Sequence, residues 1–529
     1  MRLDWLRIPN YRNRNLRNFE INFDEAQSTT VLIGRNGSGK SNLIEAVVEI
    51  FRNLEMGNAP AFAYELRYIC REQTIELNAD PDRGNKRLEV RVDGKAVTQA
   101  AFKQNLDSYL PNFVFAYYSG WSSRLEKHFD EPTRRYYRAI LNSKKSQMPL
   151  RRLFFCRKEY SQLVLLAFFL SESATAHALL EKYLNIRRFD SALFVLKTPW
   201  WRGSGKPNKT QLTEGDARFW YARGAFKTFL DRLWNRAFAP IRNGETVERD
   251  VRGKTESTER LYLFLKNQAE LAQLKTGEED AKTLFGYLES LFLCDLMDEV
   301  RVTVERTDGS RVKFAQLSEG EQQLLTVLGL LLFTQNDESL YLLDEPDTHL
   351  NPVWTYDYLK LLQDNIRAEK GQLLVATHNP LMIGSLYKNQ VRIISQEDHA
   401  TVAEEPEYDP IGIGVEGLLK SELYGLRSTL APEILKKLDK HYELIGKQNK
   451  TPEEEMILIK LANELNSLHV SRTHPNPYFE QFANAMANAL PTQENILTKE
   501  EIEAQARLAD EVLSEILTKE EAVGGEQHK

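Results

Sequence analysis

The stretch TTVLIGRNGSGKSNLIEAVVEIF (29–51) decides the fold of this chain. Its first five residues are apolar or β-branched and predict a buried strand, whereas SNLIEAVVEIF has the apolar spacing of a helix. Between them, GRNGSGKS (34–41) matches the pattern G-x-x-x-x-G-K-[ST], in which a glycine-rich turn presents backbone N–H groups to phosphates. The predicted nucleotide-binding residues are Arg35, Asn36, Gly37, Ser38, Gly39, Lys40 and Ser41.

Two side chains of this loop have predicted roles of their own. Lys40 is placed to reach the β- and γ-phosphates of ATP, and the Ser41 hydroxyl is placed to ligate Mg²⁺. The alternative, a chance glycine-rich turn, is disfavoured because the loop lies between a predicted strand and a predicted helix. ATP and Mg²⁺ are therefore the predicted cofactors.

Two further apolar segments end in polar residues that suit the same chemistry. SLYLLDEP (339–346) ends with Asp344, predicted to hold Mg²⁺, and Glu345, predicted to polarise the attacking water. QLLVATHNP (372–380) ends with His378, which is placed to sense the γ-phosphate. Acidic residues after a strand and a histidine at a strand end are also common structural features, so neither segment alone decides between these alternatives.

The stretch LSEGEQQ (317–323) precedes the apolar run LLTVLGLLLF and predicts a helix start. Ser318 and Glu321 have the spacing of a capping box. Gly320 leaves the backbone amides of the first turn uncovered by a side chain, and such a turn also binds anions. The stretch is therefore either a helix cap or a cap that also holds a phosphate.

Composition indicates a globular chain with an uneven charge distribution. Of 529 residues, 27% are charged, and the net charge is −7. Residues 121–240 nevertheless hold 23 Lys and Arg against 10 Asp and Glu. The longest apolar run is too short to span a bilayer, and the first residues lack the apolar core of a signal peptide. We expect a cytoplasmic protein without a membrane partner.

The order of these motifs carries a family resemblance. The phosphate loop, LSEGEQQ, the Asp-Glu pair and the strand-end histidine occur in that order, and nearly 280 residues separate the first two. This order resembles the ABC-type ATPases of the SMC and RecF-like group, over about 1–120 and 296–400. The resemblance implies an α/β fold, namely an ABC-type P-loop ATPase head with a mostly helical insertion and a helical C-terminal region.

The same resemblance assigns the stretch LSEGEQQ to the signature motif of that family. It implies that Ser318, Gly320 and Glu321 of one copy close over ATP held by Lys40 of another copy, in a homodimer or higher oligomer. Two positions depart from the family pattern: Asn351 stands where aspartate is frequent, and FAYYSG (115–120) ends without the usual glutamine. Either departure predicts slow hydrolysis.

Four regions are predicted from changes in composition and periodicity. The first ATPase lobe covers 1–120, and a mostly helical, basic insertion covers 121–295. The second lobe covers 296–410 and holds the signature, the carboxylates and the histidine. A helical C-terminal partner-binding region with an acidic tail covers 411–529.

The insertion contains a candidate nucleic-acid surface. In TRRYYRAILNSKKSQMPLRRLFFCRK (133–158), basic residues alternate with aromatic ones, a composition that suits phosphate contacts and base stacking. The alternative is a solvated helix face whose aromatic residues pack inward. The candidate residues are Arg134, Arg135, Arg138, Lys144, Lys145, Arg151 and Arg152.

A second resemblance concerns GIGVEGLLKSELYGLRSTLAPEILKKLDKHYELIGK (412–447). Together with the compact head, this segment resembles the PtuA ATPases of Septu anti-phage systems, including the form found beside retrons. The resemblance implies a regulatory ATPase with a separate HNH nuclease (PtuB-like) as partner and, in the retron form, a reverse transcriptase with its RNA–DNA product (msDNA). The alternatives are a RecF-like DNA-repair clamp and a toxin that cleaves RNA itself.

Overall fold

The computed structural model divides the chain into two compact units, residues 1–426 and 427–529. It describes residues 1–11, 15–24, 26–120, 122–142, 150–171, 174–202, 206–248, 255–277, 279–334, 337–367, 369–397, 400–421, 423–426, 428–446, 450–468, 507–508 and 511. The boundary lies later than the predicted start of the C-terminal region, because residues 411–426 group with the first unit.

The first part of unit 1 is rich in strands, as its alternating segments predicted. Its elements are β1 (Arg2–Asn10), β2 (Arg17–Asn22), β3 (Thr29–Ile33), α1 (Lys40–Met56), β4 (Tyr64–Cys70), β5 (Gln73–Ala79), β6 (Leu88–Val92), β7 (Lys95–Val97), α2 (Gln99–Gln104), α3 (Leu106–Tyr109) and β8 (Phe113–Tyr118).

The region predicted as a mostly helical insertion follows. Its elements are α4 (Asp130–Asn142), β9 (Leu153–Phe155), α5 (Tyr160–Ser171), α6 (Ala174–Leu184), β10 (Ile186–Lys197), α7 (Lys209–Glu214), α8 (Ala225–Arg236), β11 (Phe238–Glu248), β12 (Thr255–Leu265), α9 (Gln268–Ala272) and α10 (Ala281–Leu293).

Strands and helices alternate in the remainder of unit 1. They are β13 (Met297–Arg306), β14 (Arg311–Lys313), α11 (Glu319–Thr334), β15 (Ser339–Asp344), α12 (Pro352–Asp364), β16 (Gly371–Ala376), α13 (Pro380–Ile383), β17 (Val391–Glu397), β18 (Ala400–Glu404) and α14 (Gly414–Lys420). The described part of unit 2 contains α15 (Pro432–Gly446) and α16 (Pro452–Ser467), which pack together.

A large mixed sheet organises unit 1. Within the described residues it has the strand order β7-β6-β5-β4-β1-β2-β18-β17-β3-β16-β15-β8-β9. Neighbouring strands from β17 to β9 run parallel, and β3, β15 and β16 are buried along their whole length. Burial on both faces explains why these three segments read as continuous apolar runs. The α/β fold class is therefore confirmed.

The insertion contains three long strands besides its predicted helices. β10, β11 and β12 join β13 and β14 in a second, antiparallel sheet with the order β11-β12-β10-β13-β14. We did not predict the first three of these strands. The burial of β10 does not alternate regularly, and its register shifts against β13, so the period of two is obscured. A short apolar run without that period does not distinguish a strand from a helix.

Two of the candidate nucleic-acid residues are structural. The Arg151 guanidinium forms a buried ion pair with Glu289, donates to the Tyr160 hydroxyl at 3.2 Å and lies 4.5 Å above the Phe154 ring. Arg152 is largely buried and pairs with Asp107 at 2.5 Å. The prediction that Arg151 contacts nucleic acid is therefore wrong, because its charge is paired inside the protein. The charge of Arg152 is already paired with the exposed carboxylate of Asp107.

The other candidates divide into two groups. Arg134, Arg135 and Arg138 are exposed on α4. Arg135 donates at 3.4 Å to the backbone carbonyl of Glu55, so its guanidinium also has a contact within the chain. Lys144 and Lys145 lie outside the described residues. The candidate surface is thereby reduced to the three arginines of α4.

Replacing Arg151 with methionine is predicted to destabilise the fold. Glu289 is fully buried, and the variant would leave its carboxylate without the guanidinium, at a cost of about 3–5 kcal/mol in the free energy of unfolding. Urea denaturation followed by circular dichroism measures this change. R134M is the matched control and should change the unfolding midpoint little, and R151M/E289L should recover part of the loss. Equal midpoints for R151M and R134M would contradict the structural role of Arg151.

Candidate nucleotide-binding site

Four loops meet at one edge of the large sheet because the strands before them are parallel neighbours. β3 pairs with β16, β16 pairs with β15, and β15 pairs with β8, all in parallel. The loops after these strands carry the phosphate-binding loop, His378, the Asp-Glu pair and Ser119, in that order across the edge. The carboxyl edge of such a sheet is where α/β proteins bind ligands. The predicted site residues from distant parts of the sequence are thus brought together.

The phosphate-binding loop is held in shape by contacts on both of its sides. The Lys40 ammonium donates to the carbonyl of Gly34 at 2.8 Å, so the side chain folds back over the loop. Gly39 is the N-cap residue of α1 and has φ 120°, and a Cβ added there would lie 2.6 Å from the carbonyl oxygen of Asn15. Only glycine fits this conformation and this close approach. The side-chain amide of Gln396 fixes the other side of the loop by donating to the backbone carbonyl of Ser38 at 2.7 Å.

Asp344 is buried beside this loop in a setting that suits a cation. Its side chain hydrogen-bonds Ser41, and among the described residues its Oδ1 atom has no hydrogen-bond partner. Burial raises the pKa of Asp344 to about 6, and its contacts with Ser41 and Lys40 oppose this shift. A hydroxyl and a carboxylate are oxygen ligands of the kind Mg²⁺ prefers. The residues therefore fit the predicted metal.

Glu345 has a strained backbone that directs its side chain toward His378. Its φ is 53°, which is uncommon for a residue with a side chain, and its amide donates to the carbonyl of Ala376 at 2.8 Å. The Glu345 carboxylate lies 3.0 Å from Nδ1 of His378. Burial, Asp344 and Asp347 raise the pKa of Glu345 to about 8, and burial with nearby Lys40 lowers the pKa of His378. The two proposed catalytic groups are in contact.

The signature stretch forms the capping box that its sequence predicted. The amide of Glu321 donates to the Ser318 hydroxyl at 3.2 Å, and the amide of Ser318 donates to the Glu321 carboxylate at 2.7 Å. Gly320 is buried, and a Cβ added there would lie 2.5 Å from the carbonyl oxygen of His349. The loop after Asp344 therefore approaches the first turn of α11 so closely that a side chain at position 320 does not fit.

The signature and the phosphate-binding loop line different cavities of the same chain. Glu319 and Gln322 line a cavity of about 500 Å³ between α11 and the ends of β8 and β9. Ser41 and Asp344 line another, of about 150 Å³. The predicted contact between the signature and ATP is therefore expected from a second copy.

The two departures from the family pattern have visible local consequences. The Asn351 side chain accepts from the amide of Trp354 at 2.8 Å and caps α12, a role that asparagine and aspartate share. At the end of β8, Tyr118 lines the cavity next to Ser41 and Asp344. Asn351 thus replaces aspartate without loss of the cap, whereas the missing glutamine leaves a phenol near the proposed metal site.

Tyr424 belongs to the site although no motif pointed to it. It lies in the stretch SELYGLRST and lines a cavity with Gly34–Ser38 of the phosphate-binding loop. Its hydroxyl is buried without a hydrogen-bond partner among the described residues. Burial, Asp347 and Glu345 raise the pKa of this phenol above its ordinary value. A residue of the region predicted to bind partners is thus next to the nucleotide loop.

A phosphate-binding loop after a parallel strand, a buried aspartate beside it and a glutamate paired with a strand-end histidine define a P-loop nucleoside triphosphatase of the ABC type. Two family models agree with this class. Residues 1–147 match the model "AAA ATPase domain", and residues 188–384 match "AAA domain, putative AbiEii toxin, Type IV TA system". Both models describe AAA-type ATPase domains, and they support ATP hydrolysis as the activity of this site.

Two curated proteins are similar to this chain. The Septu protein PtuA of Bacillus mycoides (strain KBAB4) is 28% identical over 194 residues, which are 34% of this chain and 26% of that protein. The retron Vc95 probable ATPase of Vibrio cholerae serotype O1 biovar El Tor is 20% identical over 422 residues, 73% of this chain and 72% of that protein. The match therefore spans about a quarter of the first relative and most of the second.

Similar solved structures include heads of SMC proteins. The SMC head domain from Thermotoga maritima is 14% identical with a TM-score of 0.32, and the alignment covers 77% of this chain and 100% of that one. An SMC head bound to the C-winged helix domain of ScpA gives 12% identity, a TM-score of 0.33 and coverages of 77% of this chain and 97% of that one.

In the described residues, no helix is long and apolar enough to cross a membrane.

Replacing Gly320 with alanine is predicted to disturb the signature turn. The new Cβ would meet a backbone carbonyl at 2.5 Å, and relief of that clash should cost about 1–3 kcal/mol in the free energy of unfolding. G244A is the matched control, since a Cβ there meets no atom within 4 Å. Urea denaturation of both variants measures the difference. An unfolding midpoint of G320A equal to that of G244A would show that the turn tolerates a side chain.

Proposed function

We propose that the chain binds and hydrolyses ATP at composite sites between two copies. The observation that carries this proposal is the contact of Glu345 with His378 at the edge that also holds Lys40, Ser41 and Asp344. The separate cavity beside the signature supports the need for a second copy. The signature residues Ser318, Gly320 and Glu321 would complete the site of the partner.

The residues of the site divide the work of hydrolysis. The backbone amides of residues 35–39 and the Lys40 ammonium bind the phosphates, and Ser41 and Asp344 would hold Mg²⁺. Bound Mg²⁺ supplies positive charge to the phosphate oxygens. Glu345 orients the attacking water and accepts its proton, and His378 positions the Glu345 carboxylate through their contact. Positive charge brought by Lys40 and the metal favours the ionised form of Glu345 that this role requires.

Replacing Glu345 with glutamine is predicted to separate binding from hydrolysis. The amide cannot accept the proton, so kcat should fall about 10²- to 10⁴-fold while ATP binding persists. Closed dimers should then accumulate with ATP, as measured by light scattering coupled to size exclusion. E369Q, at an exposed position, is the matched control and should behave as wild type. Unchanged turnover in E345Q would exclude Glu345 as the catalytic base.

For the biological role, we propose a regulatory ATPase of an anti-phage defence complex. The similarity to Septu PtuA and to the retron Vc95 ATPase supports this role, as does the segment 412–447 that resembles PtuA ATPases. The proposed partner is a separate HNH nuclease, joined in the retron form by a reverse transcriptase and its RNA–DNA product. The exposed Arg134, Arg135 and Arg138 of α4 are the proposed nucleic-acid contacts.

Co-expression with the neighbouring reading frames tests this role. We expect an HNH protein to copurify with the ATPase, and mass determination with and without ATP gives the stoichiometry. Bound nucleic acid, if held by the arginines of α4, should be lost as salt is raised from 0.1 to 0.5 M. Recovery of the ATPase alone, dimerising with ATP and binding DNA, would contradict the defence complex and favour the RecF-like clamp.

A further inference from the structure

A buried acidic residue that the catalytic scheme does not use lies beside the proposed metal ligands. Glu45 follows Ser41 by four residues on α1, so the two side chains share one face of the helix. Both line the cavity of about 150 Å³ that also contains Asp344, Tyr118 and Arg124. Only 2% of Glu45 is exposed, and it therefore faces the cavity rather than bulk solvent.

Two basic groups bond the Glu45 carboxylate. Arg124 approaches one oxygen at 2.7 Å, and Nε2 of the His128 ring approaches the other at 3.0 Å. Nδ1 of that ring lies 3.1 Å from the Arg52 guanidinium, which can only donate, so Nδ1 is the acceptor and the proton on Nε2 donates to Glu45. His128 thus orients the Glu45 carboxylate through one oxygen, and Arg124, whose side chain is 43% exposed, pairs with the other oxygen.

We propose that Glu45 is an outer-sphere ligand of the divalent cation held by Ser41 and Asp344. Mg²⁺ keeps several of its water molecules in protein sites, and those waters need acceptors. Glu45 is the second carboxylate of the cavity, and the oxygen that faces Arg124 accepts from these waters when the ion is bound. This inference rests on the proposed magnesium–nucleotide site and adds a residue to it.

Arg124 has an opposing part in this arrangement. Its guanidinium neutralises Glu45 while the cavity holds no ion, which reduces the cost of a buried carboxylate. Because its side chain is partly exposed, it can turn toward solvent when the ion's waters replace it. A positive charge next to a cation site weakens binding of the cation, so removal of Arg124 and removal of the Glu45 charge should have opposite effects.

The test uses the full chain and measures ADP binding by calorimetry in EDTA and in MgCl₂. The dissociation constant of ADP in EDTA divided by that in MgCl₂ reports the coupling between Mg²⁺ and nucleotide. In E45Q this ratio should fall about 10-fold or more, the usual effect of losing an outer-shell partner of a metal. In R124Q the ratio should rise above the wild-type value.

E49Q is the matched control, because Glu49 is a second buried glutamate on α1 that lies outside the cavity, accepts from the Tyr11 hydroxyl at 3.0 Å and pairs with Arg52 at 3.6 Å. Its ratio should equal that of wild type. A ratio for E45Q within twofold of the ratio for E49Q would overturn the inference. If E45Q does not fold, R124Q decides, and a ratio for R124Q below the wild-type value would also overturn the inference. ADP binding that is independent of Mg²⁺ in wild type would overturn the proposed metal site itself.

Discussion

Two adjacent carboxylates at the end of a fully buried strand are the constraint on which the site depends. Asp344 and Glu345 repel each other, and burial raises the pKa of both, so nearby positive charge is needed to favour their ionised forms. Lys40, folded over its own loop, supplies one charge within the chain, and a divalent cation would supply the rest. The geometry of β15 thus couples the ionisation of the two carboxylates to the positive charge present at the site.

Features that depend on neighbours in the sequence could be predicted. The strand, loop and helix of 29–51 follow from local periodicity and glycine spacing, and the capping box of Ser318 and Glu321 follows from a three-residue interval. The parallel order of the sheet then places His378 beside Glu345, because the carboxyl ends of adjacent parallel strands meet. For these residues, side-chain chemistry and spacing predicted the residue types and the local elements, and the sheet order supplied the contact.

Features that depend on distant partners could not be predicted. Arg151 had the composition of a nucleic-acid contact, but Glu289, more than a hundred residues away, holds it in the core. From the sequence, the glycine at position 320 was attributed to backbone amides left uncovered in the first turn of the helix. The structure adds a steric reason, because a side chain there would meet the carbonyl of His349. Gln396 and Glu45 belong to no motif, and only their position against the phosphate-binding loop reveals them. Each of these depends on tertiary contacts that no local pattern records.

The strand order has a consequence for the synthesis of the protein. β3, which leads into the phosphate-binding loop, pairs with β16 on one side and β17 on the other, and roughly 340 residues separate it from β16. At about 5–20 residues per second, a ribosome needs roughly 20–70 seconds to supply the first partner. During that time five apolar or β-branched residues lack both partner strands, so chaperone binding to the nascent chain should concentrate on residues 29–33.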